Sequence, residues 1–344
     1  MPAAHRIIDA DGHIIDDLDR MKTYLEAPWD KRRGSITMHE TWDSTLSGKY
    51  GFYHRKGYPA SDLDEWLAEM DKHGIETTVE YPSHVSVTHM PEPDFAVAIC
   101  RAYNNYFAEE FGRKTKRLRG VAMIPPQDPK EAARELRRAV TELGMVGGHI
   151  KSAGLRAPLG DRSYDPIWAA AQELGVPIVI HGTRNGSWEF GCGQFTTFSE
   201  IHTVAFPVGV MIQLTSILYQ GVPERFPKLK LGFTEVGATW VPYWLDRMDE
   251  HWEKRGEVET PDLKHKPSDC VANHPIYFTV EAGEKLLPAT VDYLGEDRLC
   301  YASDFPHWDN EFPHNIAALR ARTDLGEVAK RKLFYDNAKA LYGL

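Results

Sequence analysis

The sequence predicts an α/β protein, a parallel (β/α)8 TIM barrel in one domain. Three observations predict it. Eight short apolar runs recur along the chain, with amphipathic helical stretches between them. Several runs stop on His, Asp or Glu, and the C-terminal strand ends are where such a barrel gathers its chemistry. The 344 residues suit one undivided barrel, and no Pro/Gly/Ser linker cuts the chain.

The expected strands are 6–13, 77–82, 118–124, 146–151, 177–181, 229–235, 276–281 and 299–304. Four expected helices are clear between or after them. Residues 93–115 carry Phe95, Ile99, Tyr103 and Phe107 at helical spacing. Residues 129–143 open on a proline and stop at Gly144. Residues 240–255 and 327–341 follow the same pattern. The segment 24–59 interrupts the alternation. It is long, aromatic and charged, and reads as a lid-like insertion over the barrel mouth.

Bulk properties narrow the function. A net charge of -10 and a pI near 5.8 give no electrostatic support to a nucleic-acid role. Cys100, Cys192, Cys270 and Cys300 show no CxxC spacing and read as free thiols in a reducing compartment. The first residues lack the apolar core of a signal peptide, and no apolar run is expected to approach membrane-spanning length. A cytoplasmic enzyme acting on a small molecule is expected, with a homo-oligomer or a related barrel subunit left open as partner.

Asp11 and His13 stand two apart on the first strand, so both leave one face and make half of a metal site. The bland alternative is a capping Asp and a satisfied His. Asp9 is expected on the same face, one step deeper, as a buried structural carboxylate. His181 closes VPIVIH, Glu235 closes LKLGFTE, and Asp304 closes RLCYASD. Asp304 could instead cap its loop through an Asx turn. Glu80 lies inside the second strand, where a lone buried carboxylate is costly. It points either to a metal or to an arginine. His149, Lys151 and Glu281 end the fourth and seventh strands as weaker candidates for substrate contact. His307 and Trp308 are expected to line the mouth.

The runs DADGH at 9–13, IVIHG at 178–182, RFPKLKLGFTEVG at 225–237, WVPYWLDRMD at 240–249 and YASDFPHWD at 301–309 together resemble the amidohydrolase superfamily. The nearest branch includes aminocarboxymuconate semialdehyde decarboxylase and gamma-resorcylate decarboxylase. The resemblance implies a distorted barrel over residues 1–344, with a divalent metal held by Asp11, His13, His181 and Asp304. It also brings in His202, in FSEIHTVAFP, as a ligand or acid–base residue, where the residues alone suit a simple helix-face histidine as well. Two departures stand out. Those decarboxylases carry a His at the end of strand six, where this chain has Glu235, and they lack a strand-two carboxylate such as Glu80.

Counting Glu80, His202 and Glu235 with the other four gives seven donors, more than one ion needs. Two ions, iron and/or manganese, would use them, since anionic oxygen donors stabilise higher oxidation states. The first expectation is therefore an O2-dependent hydroxylase of a small acid or acyl substrate, similar to the dinuclear iron subset of this superfamily. Its catalytic residues would be Glu235, Asp304 and His202. The alternative is a hydrolase or decarboxylase with one Zn or Mn acting on a small carboxylated substrate, an aromatic one included. There Glu235 shuttles a proton. A non-catalytic barrel subunit is the third reading. The aromatic residues Trp29, Trp42, Tyr50, Phe52 and Tyr53 of the insertion suit a ring-bearing substrate. Arg32, Arg33, Arg55 and Arg184 could meet its carboxylate, although solvated surface is the ordinary fate of each.

Overall fold

The computed structural model describes residues 6–32, 60–88, 90–183 and 187–344. Most of the 24–59 insertion, with Arg33, Trp42, Tyr50, Phe52, Tyr53 and Arg55, lies outside them, as does Arg184.

The described strands are β1 (Ile7–Ile14), β2 (Ile75–Pro82), β3 (Leu118–Gly120), β4 (Ala122–Met123), β5 (Gly148–Lys151), β6 (Pro177–His181), β7 (Lys230–Thr234), β8 (Ile276–Val280) and β9 (Leu299–Tyr301). All pairings are parallel, in the orders β1-β2-β3 and β4 through β9. β3 and β4 are two halves of one barrel strand, broken at Val121. The Val121 amide bonds the Glu80 carbonyl and the Ala122 amide bonds the Gly147 carbonyl, so the strand hands over from β2 to β5. No ladder joins β9 to β1 among the described residues. Two backbone bonds just past β9 bridge the gap: Asp304 N–H to the Asp11 carbonyl at 2.9 Å, and His13 N–H to the Phe305 carbonyl at 2.8 Å. The arrangement is a distorted (β/α)8 barrel.

Helices lie between the strands where their signals predict. Pro129–Leu143 starts at Asp128, whose side chain accepts from the amides of Lys130 and Glu131, and ends at Gly144 with φ 72°. The 93–115 pattern resolves into a helix over Pro93–Phe107 and a wider π-type turn over Ala108–Gly112. The helix Phe198–Tyr219 follows β6 and is fixed at its start by a Thr197–Glu200 capping box. By length and composition it could cross a membrane, which corrects the expectation that no such run exists. Ala205, Val210, Leu214, Ile217 and Leu218 are nevertheless buried in the protein's own core.

Two apolar clusters hold the layers together. One fills the space between strands and helices. The other fills the barrel interior with Ile8, Ala10, Val79, Tyr81, Val121, Val146, Val179, Tyr277 and Cys300, closed from below by Ala338, Leu341 and Tyr342 of the last helix. This interior is a packed plug, so polar groups above it stand at the mouth.

Candidate metal centre

The register of β1 against β2 gains one residue between Asp9 and Gly12: Asp9 pairs with Thr78 and Gly12 with Glu80. That extra residue is a β-bulge, and a bulge re-aims the side chains after it. Ile8 and Ala10 face the interior, yet so do Asp11 and His13. Asp9 therefore falls on the outer face, which corrects its expected placement beside Asp11. There it accepts from the amides of Asp11 (3.2 Å) and Ser303 (2.9 Å) and from the Ser303 hydroxyl.

Glu80 shares that outer face. Its neighbour Tyr81 points inward, and alternation sends Glu80 toward the helix layer. The Trp66 indole donates to Glu80 Oε1 at 2.8 Å, and burial pushes the carboxyl up to about 8. A Cβ on Gly12 would meet Thr78 Oγ1 at 2.5 Å and Glu80 Oε1 at 3.4 Å, so only glycine fits between these side chains.

Among the described residues, two overlapping groups of donors converge at the mouth: Asp11, His13 and His181, and His13, Glu235, Asp304 and His307. Asp11 Oδ1 is 3.5 Å from both His13 Nε2 and His181 Nε2. The two Nε2 atoms are 3.2 Å apart, and Asp304 Oδ1 is 3.4 Å from His13 Nε2. Ligands held roughly 2.0–2.2 Å from one ion stand at about such separations from each other. Both Asp11 oxygens are buried with no hydrogen-bond partner. A buried carboxylate so placed is costly unless a cation meets it. Asp11, His13 and His181 thus fit a divalent metal, and Asp304 joins them through His13. Burial raises the Asp11 pKa and lowers that of His13, which keeps the imidazole in the neutral form that can ligate a metal.

Glu235 grips the far side of His181. Its Oε2 lies 2.7 Å from His181 Nδ1, and the Gly182 carbonyl is also 2.7 Å from that nitrogen. Nδ1 therefore donates its hydrogen to the Gly182 carbonyl, with the Glu235 charge beside it, and Nε2 presents its lone pair to the centre, as where a backbone carbonyl orients a histidine behind a metal. Burial alone would lower the His181 pKa and Glu235 and Asp11 raise it, whereas a cation at the centre would oppose protonation and keep Nε2 free to ligate. Burial would likewise raise Glu235, but His181 and His307 hold it ionised.

His307, expected only to line the mouth, enters the site itself. Its Nδ1 is 2.8 Å from Asp304 Oδ1 and 3.6 Å from Glu235 Oε1, and its Nε2 is 3.2 Å from Ser83 Oγ. Asp304 and Glu235 raise its pKa against the effect of burial. The D-x-x-H spacing in SDFPH was its signal. Glu235 and Asp304 are the non-glycine residues with positive φ among those described, 69° and 52°. Such backbone is strained for these side chains and clusters at functional sites.

His202 stands apart from the donors. It lies 3.8 Å from Asp309 and packs against Phe198, Phe206 and Trp308. His149 lies beneath the centre, its ring 5.4 Å from those of Tyr81 and His181. Lys151 ends β5 opposite His181. Glu281 lies exposed just past β8. Arg32 pairs with Glu92 and lies over Phe95, away from the donors.

Sequence comparison finds a gamma-resorcylate decarboxylase of Polaromonas sp., 28% identical over 332 residues, covering 90% of this chain and 99% of that protein. A 2-amino-3-carboxymuconate-6-semialdehyde decarboxylase of Dictyostelium discoideum is 25% identical over 285 residues, covering 82% and 77%. Among solved structures, a dihydroxybenzoic acid decarboxylase from Polaromonas sp. JS666, with bound manganese and 2-nitroresorcinol, superposes with a TM-score of 0.75 at 22% identity, covering 99% and 97%. These relatives are decarboxylases, and they do not support the oxygenase expected from the donor count. With the family profile matching residues 8–344, the chain belongs to the amidohydrolase family.

Proposed function

We propose that the protein is a metal-dependent decarboxylase of a small aromatic or conjugated unsaturated acid. The observation that carries this reading is the buried Asp11 carboxylate, without a hydrogen-bond donor and facing the Nε2 atoms of His13 and His181. Similarity to decarboxylases over most of the chain supports the reaction class. Glu80 faces Trp66, so the count of seven donors that favoured two ions falls, and one divalent ion on Asp11, His13, His181 and Asp304 suffices. Manganese is the ion to test, because it is bound in the similar decarboxylase structure.

A bound divalent ion would act as a Lewis acid toward oxygen atoms of the acid substrate. The chain's own residues handle the proton. Loss of CO2 from a carboxylate leaves a carbon that must take up one proton. His307, which the Asp304 and Glu235 carboxylates keep protonated, stands 2.8 Å from Asp304 Oδ1 at the mouth. It delivers its proton to that carbon, and Ser83, 3.2 Å from His307 Nε2, connects it outward for reprotonation. Glu235 keeps His181 oriented and His307 charged. Phe198, His202, Phe206 and Trp308 offer ring faces to a planar substrate.

The test incubates Mn2+-loaded protein with gamma-resorcylate and related hydroxybenzoates in D2O. One CO2 released per turnover, with one deuterium at the vacated carbon, is expected under strictly anaerobic conditions. Turnover that requires O2 and leaves the carboxylate in place would overturn the reading.

A further inference from the structure

We infer that the single peptide unit Ala10–Asp11 is the positioning device of the metal centre, and that Asp9 and Tyr342 are the residues that hold it. The inference rests on the metal reading above.

Both polar groups of this peptide are taken by side chains. Its N–H, from Asp11, donates to Asp9 Oδ1 at 3.2 Å. Its carbonyl, from Ala10, accepts from the Tyr342 hydroxyl at 2.9 Å. Tyr342 has one proton to give, so the Tyr81 hydroxyl, 2.6 Å away, must donate to it. The two braces come from opposite sides. Asp9 lies on the outer face, and Tyr342 rises through the barrel interior from the last helix.

The location is what gives these contacts a role. The peptide lies in the bulge that brings Asp11 and His13 to the inner face. Without the bulge, strict alternation from Ala10 would send Asp11 outward and Gly12 inward. Asp9 also binds the amide and hydroxyl of Ser303, and the next residue is the ligand Asp304. The Asp304 amide in turn bonds the Asp11 carbonyl. One carboxylate thus fixes the backbone of Asp11 and of the residue just before Asp304, at opposite ends of the chain. Neither Asp9 nor Tyr342 belongs to the donor groups at the mouth. They act through Asp11, His13 and Asp304.

The experiment is Mn2+ titration of the metal-free full-length protein by calorimetry, with urea unfolding of the same samples. Tyr342→Phe and Asp9→Ala should each weaken Mn2+ binding by about 10–100-fold, the usual effect of removing a group that orients a ligand. Asp9→Asn should weaken it less, because the amide oxygen still accepts from the Asp11 N–H. Tyr81→Phe removes a buried hydroxyl but leaves the Tyr342–Ala10 bond, and should leave the affinity unchanged. A merely structural role would lower the urea midpoint and leave the affinity alone. Wild-type affinity in Tyr342→Phe and Asp9→Ala overturns the inference. Should Asp9→Ala fail to fold, Tyr342→Phe decides. A wild-type protein that binds no Mn2+ refutes the metal reading itself, whereas binding that every variant retains refutes only the role given to this peptide.

Discussion

Glu235 meets His181 on the nitrogen turned away from Asp11, and meets His307 with its other oxygen. Replacing it by Gln keeps the shape but removes the charge that holds both imidazoles. Metal content should stay near one per chain, while turnover falls by about 10²–10⁴-fold, the range for a lost acid–base contribution. Elemental analysis beside a CO2-release assay separates the two effects. Emptying of the site would mean that Glu235 is a ligand. Glu80 gives a second residue-scale expectation. Its ordinary value is 4.5 and burial carries it to about 8 in the folded protein. Below pH 4.5 it is protonated in both states and adds no pH dependence. Between 4.5 and 8 the unfolded chain releases the proton and the folded one keeps it, so stability falls as pH rises, levelling above 8. Glu80→Gln retains an acceptor for Trp66 and should remove this slope. Its unfolding free energy should gain on wild type across that window and match it in shape below. A gain independent of pH would contradict the assignment.

At the scale of elements, tight contacts decide what a strand or helix tolerates. A Cβ on Gly160 would fall 2.1 Å from the Ser216 carbonyl oxygen in the helix Phe198–Tyr219. Backbone cannot yield as a flexible side chain does, so Gly160→Ala should destabilise by about 1–3 kcal/mol. Mn2+ affinity should not change, since no donor lies there, and a lower urea midpoint is the check. Most elements were legible in the chain. Pro177–His181 and Pro129–Leu143 have the expected limits, because proline, apolar run and αL glycine punctuate them directly. Asp11, His13, His181, Glu235 and Asp304 meet at one mouth because strand-end placement is a property of the fold. The bulge in β1 was not legible, because alternation read from sequence has no mark for one inserted residue. Asp9 was misplaced for that reason. Glu80 could not be assigned a face until the strand's inward set, Val79 and Tyr81, was seen. The helix Phe198–Tyr219 is apolar around most of its girth and carries no amphipathic period to read.

For the whole molecule, the proposed metal is also a seam. Asp11 and His13 sit on β1, His181 on β6, and Asp304 just past β9. β1 and β9 share no ladder among the described residues, and two backbone bonds carry their junction. An ion on these four side chains would tie the first and last strands together and to the far wall of the barrel. It would also compensate Asp11, whose oxygens otherwise lack partners. Anything that binds only the folded state stabilises it by mass action, about 2.7 kcal/mol at a free concentration 100 times Kd. Chelation followed by dialysis should therefore lower the melting temperature by roughly 3–4 °C, and Mn2+ should restore it in a concentration-dependent way. Hydrogen exchange should show the loss first in β1 and in the segment after β9, which the ion would hold together through Asp11, His13 and Asp304. The apolar plug around Val179 and Val146 should stay protected until global unfolding, since it needs no metal to pack. Identical melting and identical exchange with and without Mn2+ would mean that these side chains do not hold an ion.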